Sequence, residues 1–189
     1  MTYTTKKFDH LLGLTGMSDA LLTNHFTLYE GYVKNTNALL EILDSKEPGT
    51  PEYSELKRRF GWEWNGMRLH ELYFGNMTKS PSSLSEGALK EKIVATYGSI
   101  ENWQKNFLTV GAMRGIGWVI LVQDIETGAL FNIWVNEHDG GHLAGTKPLL
   151  IMDVFEHAFV LDYGTKRADY LAAFIQAIDW KAVESRFAA

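Results

Sequence analysis

The chain has no cysteine. Disulfides and thiolate ligands are therefore excluded, and any metal must be held by histidine, aspartate or glutamate. Long apolar runs are missing too. Nothing approaches the roughly 18 consecutive apolar residues of a membrane-spanning helix, which argues against a membrane protein. Basic residues are few and dispersed: 18 Lys and Arg stand against 23 Asp and Glu, for a formal net charge of -5. That balance, without a Lys/Arg-dense run, excludes the basic patch of a nucleic-acid surface. Thr2 to Lys7 are polar and do not form a charged head with an apolar signal core, so the expected location is cytoplasmic.

What is present is ordinary for a globular protein. Apolar residues make up 46% and charged residues 22% of 189, enough chain to bury a real core. Ser18 and Asp19 can cap a helix running to about Asp44, along which Leu21, Leu22, His25, Leu28, Tyr32 and Leu39 recur near helical spacing. Pro48, Gly49 and Pro51 end it. A second helix is expected from Pro51 to about Met77, so the two read as an antiparallel hairpin. Lys79 to Leu84, with Pro81 between serines, reads as a linker. Beyond it come helical stretches over Glu86 to Thr96 and Ser99 to Met113.

Strand-like runs follow at Trp118 to Gln123 and Leu130 to Val135, joined through Asp124, Glu126, Thr127 and Gly128 as a hairpin, with a third at Leu149 to Val154. Helices over Glu156 to Tyr163 and Ala168 to Phe187 complete the chain. The expected class is α+β: an N-terminal antiparallel helical hairpin domain over 1–80, then a C-terminal α/β domain over 81–189 with a three-stranded antiparallel sheet.

Six histidines are present: His10, His25, His70, His138, His142 and His157. A lone helical histidine is more often structural than a ligand. The densest group is Asp153-Val-Phe-Glu156-His157, a carboxylate and an imidazole four apart after an apolar run. Such donors suit iron, manganese or zinc, and redox work needs a metal with two accessible oxidation states. The plainer reading makes Asp153 a helix cap.

Asp153-Val-Phe-Glu156-His157-Ala resembles the C-terminal signature of the iron/manganese superoxide dismutases, Asp-x-Trp-Glu-His-Ala. The likeness continues in Asp162-Tyr163, Arg167-Ala-Asp169-Tyr170, Trp180 and Gly115-Ile-Gly117-Trp118, and covers essentially the whole chain. It implies superoxide dismutation at one iron or manganese ion per chain, with superoxide anion as substrate and a homodimer or dimer of dimers as the assembly. The resemblance makes Asp153 and His157 ligands, and His70, followed by Tyr73 and Phe74, a third, with Leu69 where an Asn usually precedes it. Tyr32, in Tyr32-Val33-Lys34-Asn35, matches the gateway tyrosine. Counted without gaps from Tyr32, the fourth ligand position falls on Asn24. Removing one bulge residue from the helix restores His25, because a spacing of seven returns to nearly the same helical face, and His25 is the expected ligand.

The chain departs from the pattern elsewhere. Leu28 and Tyr29 replace histidines between ligand and gateway, and Val160 replaces a tyrosine, so an apolar contact is expected in place of the usual polar relay to the dimer interface. Gly66 stands where the iron type often has a Gln and is expected to leave a void. His138, on the loop after the second strand, is expected to take over the bond to metal-held solvent, in preference to His142. Lys34 and Arg167 are the expected local cations for drawing in an anion against the net negative charge. Trp118, Trp134, Phe155, Tyr73 and Phe74 are the expected apolar shell, and Glu156 is expected to cross a two-fold axis to the partner's ligand His157. The alternative is a catalytically silent relative that keeps the fold for metal binding or assembly. A zinc hydrolase ranks third, since no general base is clearly placed. The choice between iron and manganese stays open.

Overall fold

The computed structural model describes residues 2–188. Two long helices come first, α1 (Asp19–Ser45) and α2 (Pro51–Phe74). Ser18 starts α1 by accepting the Leu21 N–H at 3.1 Å, and Thr50 does the same for Tyr53, with Pro51 pre-set for the first turn of α2. One face of α1 is buried through Leu21, Leu22, His25, Tyr29, Val33, Thr36, Leu39 and Leu43, the stripe that helical periodicity requires of a helix packed on a core. The two helices pack on each other as the hairpin foreseen from the loop chemistry.

Helices α3 (Ala88–Tyr97) and α4 (Ile100–Gly111) lead into a sheet of β1 (Gly117–Asp124), β2 (Leu130–Asn136) and β3 (Thr146–Asp153). The order is β2-β1-β3 and both pairings are antiparallel. The central strand β1 is buried over its first six residues, so it reads as a continuous apolar run rather than an alternating one. Its pairing with β3 sets Trp118 opposite Asp153. A single hydrophobic cluster takes side chains from both sides of the 79–84 stretch, from Leu21 and Phe74 to Ile151 and Phe174.

Three boundaries differ from expectation. α2 stops at Phe74, because Gly75 caps it and Met77 pairs with Ile178 in a short bridge. The stretch after β3 is a 3-10 turn (Glu156–Ala158) followed by the single-turn helix α5 (Val160–Tyr163). The expected last helix divides into α6 (Arg167–Gln176) and α7 (Trp180–Ala188). Ala177 accepts from the Thr78 N–H at 2.9 Å, which draws the chain out of the helix, and Asp179 then caps α7 by accepting from Lys181 and Ala182. No Gly or Pro marks that break.

Asn76 fastens the hairpin to the sheet. Its amide donates to the carbonyls of Tyr73 and Ile151 at 2.8 and 3.1 Å, and its oxygen accepts the Ile151 N–H at 2.9 Å. A buried amide satisfied this way holds two segments in fixed relation. Here it sets the end of α2 against the end of β3, where His70 and Asp153 lie.

Candidate metal centre

Four side chains from four elements meet around one point. The Oδ2 atom of Asp153 lies 3.1 Å from His157 Nε2, 3.2 Å from His25 Nε2 and 3.5 Å from His70 Nε2. One donor atom from each residue lies within 4.8 Å of the others. His25 is presented by α1, His70 by α2, Asp153 by the last residue of β3 and His157 by the turn that follows. Asn24 is exposed. α1 is helical without interruption from Asp19 to Ser45, so the spacing of seven brings His25 and Tyr32 onto one face without a bulge.

Local bonds orient each donor. His70 Nδ1 donates to the Gly66 carbonyl at 2.6 Å, which leaves Nε2 with a bare lone pair. That Nε2 is buried without a hydrogen-bond partner. An orphaned acceptor beside a carboxylate and two further imidazoles fits a cation, since burying a polar atom unpaired is otherwise costly. Asp153 Oδ1 accepts the Phe155 N–H at 2.8 Å, and Tyr170 donates to the Asp153 carbonyl at 2.7 Å. Burial alone would raise the Asp153 pKa. The imidazoles of His157 and His25 outweigh it and hold the carboxyl well below the usual carboxylate range. Burial pushes His25 and His70 below the ordinary imidazole value, only partly offset by Asp153. Neutral rings are the form that ligates.

Tyr32 and His138 border this group. The Tyr32 ring stacks on His70 with centroids 5.2 Å apart, and its hydroxyl lies 2.7 Å from His138 Nε2. Trp118 Nε1–H donates to His138 Nδ1 at 3.1 Å. Burial drives the His138 pKa down to about 4, so the neutral ring carries its one proton on Nε2 and donates it to Tyr32. Both ring nitrogens are thereby committed, and the Tyr32 hydroxyl proton is free to point onward. Burial raises the Tyr32 pKa to about 12.

The expected void at Gly66 is filled. A Cβ there would stand 2.4 Å from Tyr32 Cδ1, so glycine is what lets the tyrosine ring lie against α2. Phe155 stacks on both His157 and His138, at 5.0 and 4.7 Å between centroids. Trp118 meets His70 edge-on at 5.0 Å, and Tyr73 and Phe74 stand against His25 at 5.3 and 4.9 Å. Trp134 lies under the Arg167 guanidinium at 5.8 Å.

The other expected residues are distributed unevenly. Arg167 donates to the Gly115 carbonyl at 2.9 Å, and burial lowers its pKa. Lys34 is not brought to the group. It lies about 200° around α1 from Tyr32, in a groove lined by Tyr3, Glu30, Asn37 and Glu41. Glu156 is exposed on this single chain. Tyr29, in place of a histidine, bonds instead to buried Glu71 at 3.2 Å, which also takes Lys6 at 2.8 Å and Arg68 at 2.7 Å.

Arg59 and Trp62 were not anticipated. Trp62 stands edge-on to His138 at 4.9 Å, and Arg59 lies 4.9 Å over Trp62 while pairing with Glu63 at 2.7 Å. The series Arg59, Trp62, Gly66, His70 follows one face of α2, and that spacing was the available signal.

Comparison with known proteins gives a consistent result. Residues 85–186 match the family described as iron/manganese superoxide dismutases, C-terminal domain. The chain is 39% identical over 182 residues to an iron superoxide dismutase of Cupriavidus metallidurans, covering 93% of this chain and 91% of that protein. It is 36% identical to a manganese superoxide dismutase of Haloferax volcanii, covering 90% of this chain and 87% of that one. An iron superoxide dismutase of Aquifex pyrophilus is 36% identical, with 95% of this chain and 89% of that protein covered.

Proposed function

The chain belongs to the iron/manganese superoxide dismutase family, and from that premise we propose that it converts two superoxide anions and two protons to dioxygen and hydrogen peroxide at one iron or manganese ion. His25, His70, Asp153 and His157 would hold that ion. The carrying observation is the convergence of these four donors on one point, with His70 Nε2 buried and unpartnered. When bound, iron or manganese supplies two accessible oxidation states, so superoxide is oxidised in one half of the cycle and reduced in the other.

The surrounding residues supply the rest. Trp118 fixes the His138 tautomer, His138 donates to Tyr32, and the Tyr32 hydroxyl keeps its proton at neutral pH with that proton left free for donation. Phe155, Trp118, Tyr73 and Phe74 shield the imidazoles from bulk water. Arg167 and Arg59 are the cations suited to drawing the anion inward, since Arg59 acts electrostatically on both Tyr32 and His138. Exposed Glu156, with Val160 and Leu161 exposed nearby, supports a homodimer in which this face meets its copy.

A silent relative would follow if the first ligand position fell on Asn24. The placement of His25 at 3.2 Å from Asp153 favours the enzyme. Elemental analysis and a dismutation assay on one preparation test the reading, with about one iron or manganese per chain, activity, and loss of both in His70→Ala as the expected result. A chain fully loaded with either metal yet inactive would refute it, and activity with zinc in a hydrolytic assay would redirect it to hydrolysis.

A further inference from the structure

We infer that His142 is a positioning residue for His138, acting on the peptide carbonyl of His138 and not on its ring. The inference rests on the dismutase reading and deepens it by asking what aims His138 at Tyr32.

The His138 side chain is fully buried, yet its neighbours Asp139 and Gly140 are exposed. A turn facing solvent thus delivers one imidazole inward. The turn closes through Asn136 N–H to the Gly140 carbonyl at 2.6 Å and Gly140 N–H to the Asn136 carbonyl at 3.1 Å, and the Glu137 N–H reaches the Ile116 carbonyl at 3.1 Å. Glu137 has φ 52°, the one positive φ outside glycine among the described residues. A side-chain-bearing residue held in that region is strained and tends to relax unless its surroundings over-determine it. The relaxed turn would swing the next residue, His138.

His142 supplies the missing constraint. Gly141, at φ 102°, folds the chain back so closely that a Cβ would meet the Trp134 carbonyl at 2.9 Å. That return brings His142 Nε2 to 2.9 Å from the His138 carbonyl. A carbonyl only accepts, so the His142 ring carries its proton on Nε2. The bond holds the peptide plane that carries the His138 ring, whose contacts of 3.1 Å to Trp118 and 2.7 Å to Tyr32 leave little room for rotation.

The test uses the full-length protein, loaded with metal for kinetics and metal-free for NMR. His142→Ala is expected to keep wild-type metal content and lower kcat by up to about five-fold, the limit set by the population shift that one hydrogen bond of ordinary net strength produces. The His138 Nε2–H resonance should exchange with solvent faster by a similar factor. His142→Gln, which keeps a donor, is expected to restore both. In a His138→Ala background, His142→Ala should lower kcat no further. Unchanged Nε2–H exchange in His142→Ala would overturn the inference, as would an equal kcat loss in the His138→Ala background, which would mark a merely structural role. If the loaded wild-type protein proves inactive, the dismutase reading fails, while the exchange measurement still decides the part played by His142.

Discussion

Gly66→Ala reverses a familiar expectation. In the interior of a helix this change normally stabilises by about 1 kcal/mol. Here the added Cβ would lie 2.4, 2.6 and 2.9 Å from Cδ1, Cε1 and Cγ of Tyr32, against roughly 3.5–4.0 Å for ordinary carbon contact. The ring must retreat by about 1 Å, an overpacking that costs about 1–3 kcal/mol and turns the helical gain into a net loss of about 0–2 kcal/mol. The retreat also stretches the 2.7 Å bond between Tyr32 and His138 past the range of a real hydrogen bond. A misplacement of that size lowers turnover by about 10- to 100-fold. Metal content should stay near wild type, because His70 is held through the Gly66 backbone carbonyl, which the substitution keeps. Thermal unfolding, elemental analysis and steady-state kinetics on one preparation check all three outcomes. A variant that gains the full helical stabilisation with wild-type kcat would show that Tyr32 does not occupy the space above Gly66, and would remove the basis for its role.

Asp153→Ala should abolish metal retention and activity together, since it removes the carboxylate oxygen that lies within 3.5 Å of the Nε2 atoms of all three imidazoles; full loading in elemental analysis would contradict the ligand set. Metal-free protein should lose stability as pH falls from about 6.5 to about 4. His138 is held neutral in the fold with its pKa down to about 4 while the unfolded ring protonates near 6.5, so the unfolded state binds more protons and gains by about 1.4 kcal/mol per pH unit, near 3 kcal/mol in all. Urea titrations of wild type and His138→Gln isolate this contribution, and equal slopes in that window would refute it. Glu71→Ala should lower stability by about 2–3 kcal/mol, because this buried carboxylate accepts from Arg68, Lys6 and Tyr29; a change below about 0.5 kcal/mol in denaturant unfolding would mean that the network is idle.

Elements with strong local signals were legible in the residue order. The Ser18 cap, the Pro/Gly loop between α1 and α2, and the β-branched runs of β1 and β2 carry their conformations in a few neighbouring residues, so the hairpin and sheet could be placed. The break between α6 and α7 could not, because its cause is a bond from the distant Thr78 to Ala177. Lys34 misleads for a related reason: proximity in sequence to Tyr32 is not proximity in space on a helix.

At the candidate centre, the sequence by itself determined the donor chemistry. Without cysteine only imidazole and carboxylate were available, and the family resemblance carried by the Asp153 to His157 segment implied that segment's pair together with His70 and His25. Only the tertiary structure decided that His25 and not Asn24 faces inward, that Tyr32 fills the space over Gly66, and that Trp118 fixes which His138 nitrogen carries the proton. Those outcomes depend on contacts between residues 20 to 128 positions apart along the chain, and local periodicity holds no information about which distant neighbour will claim a given face.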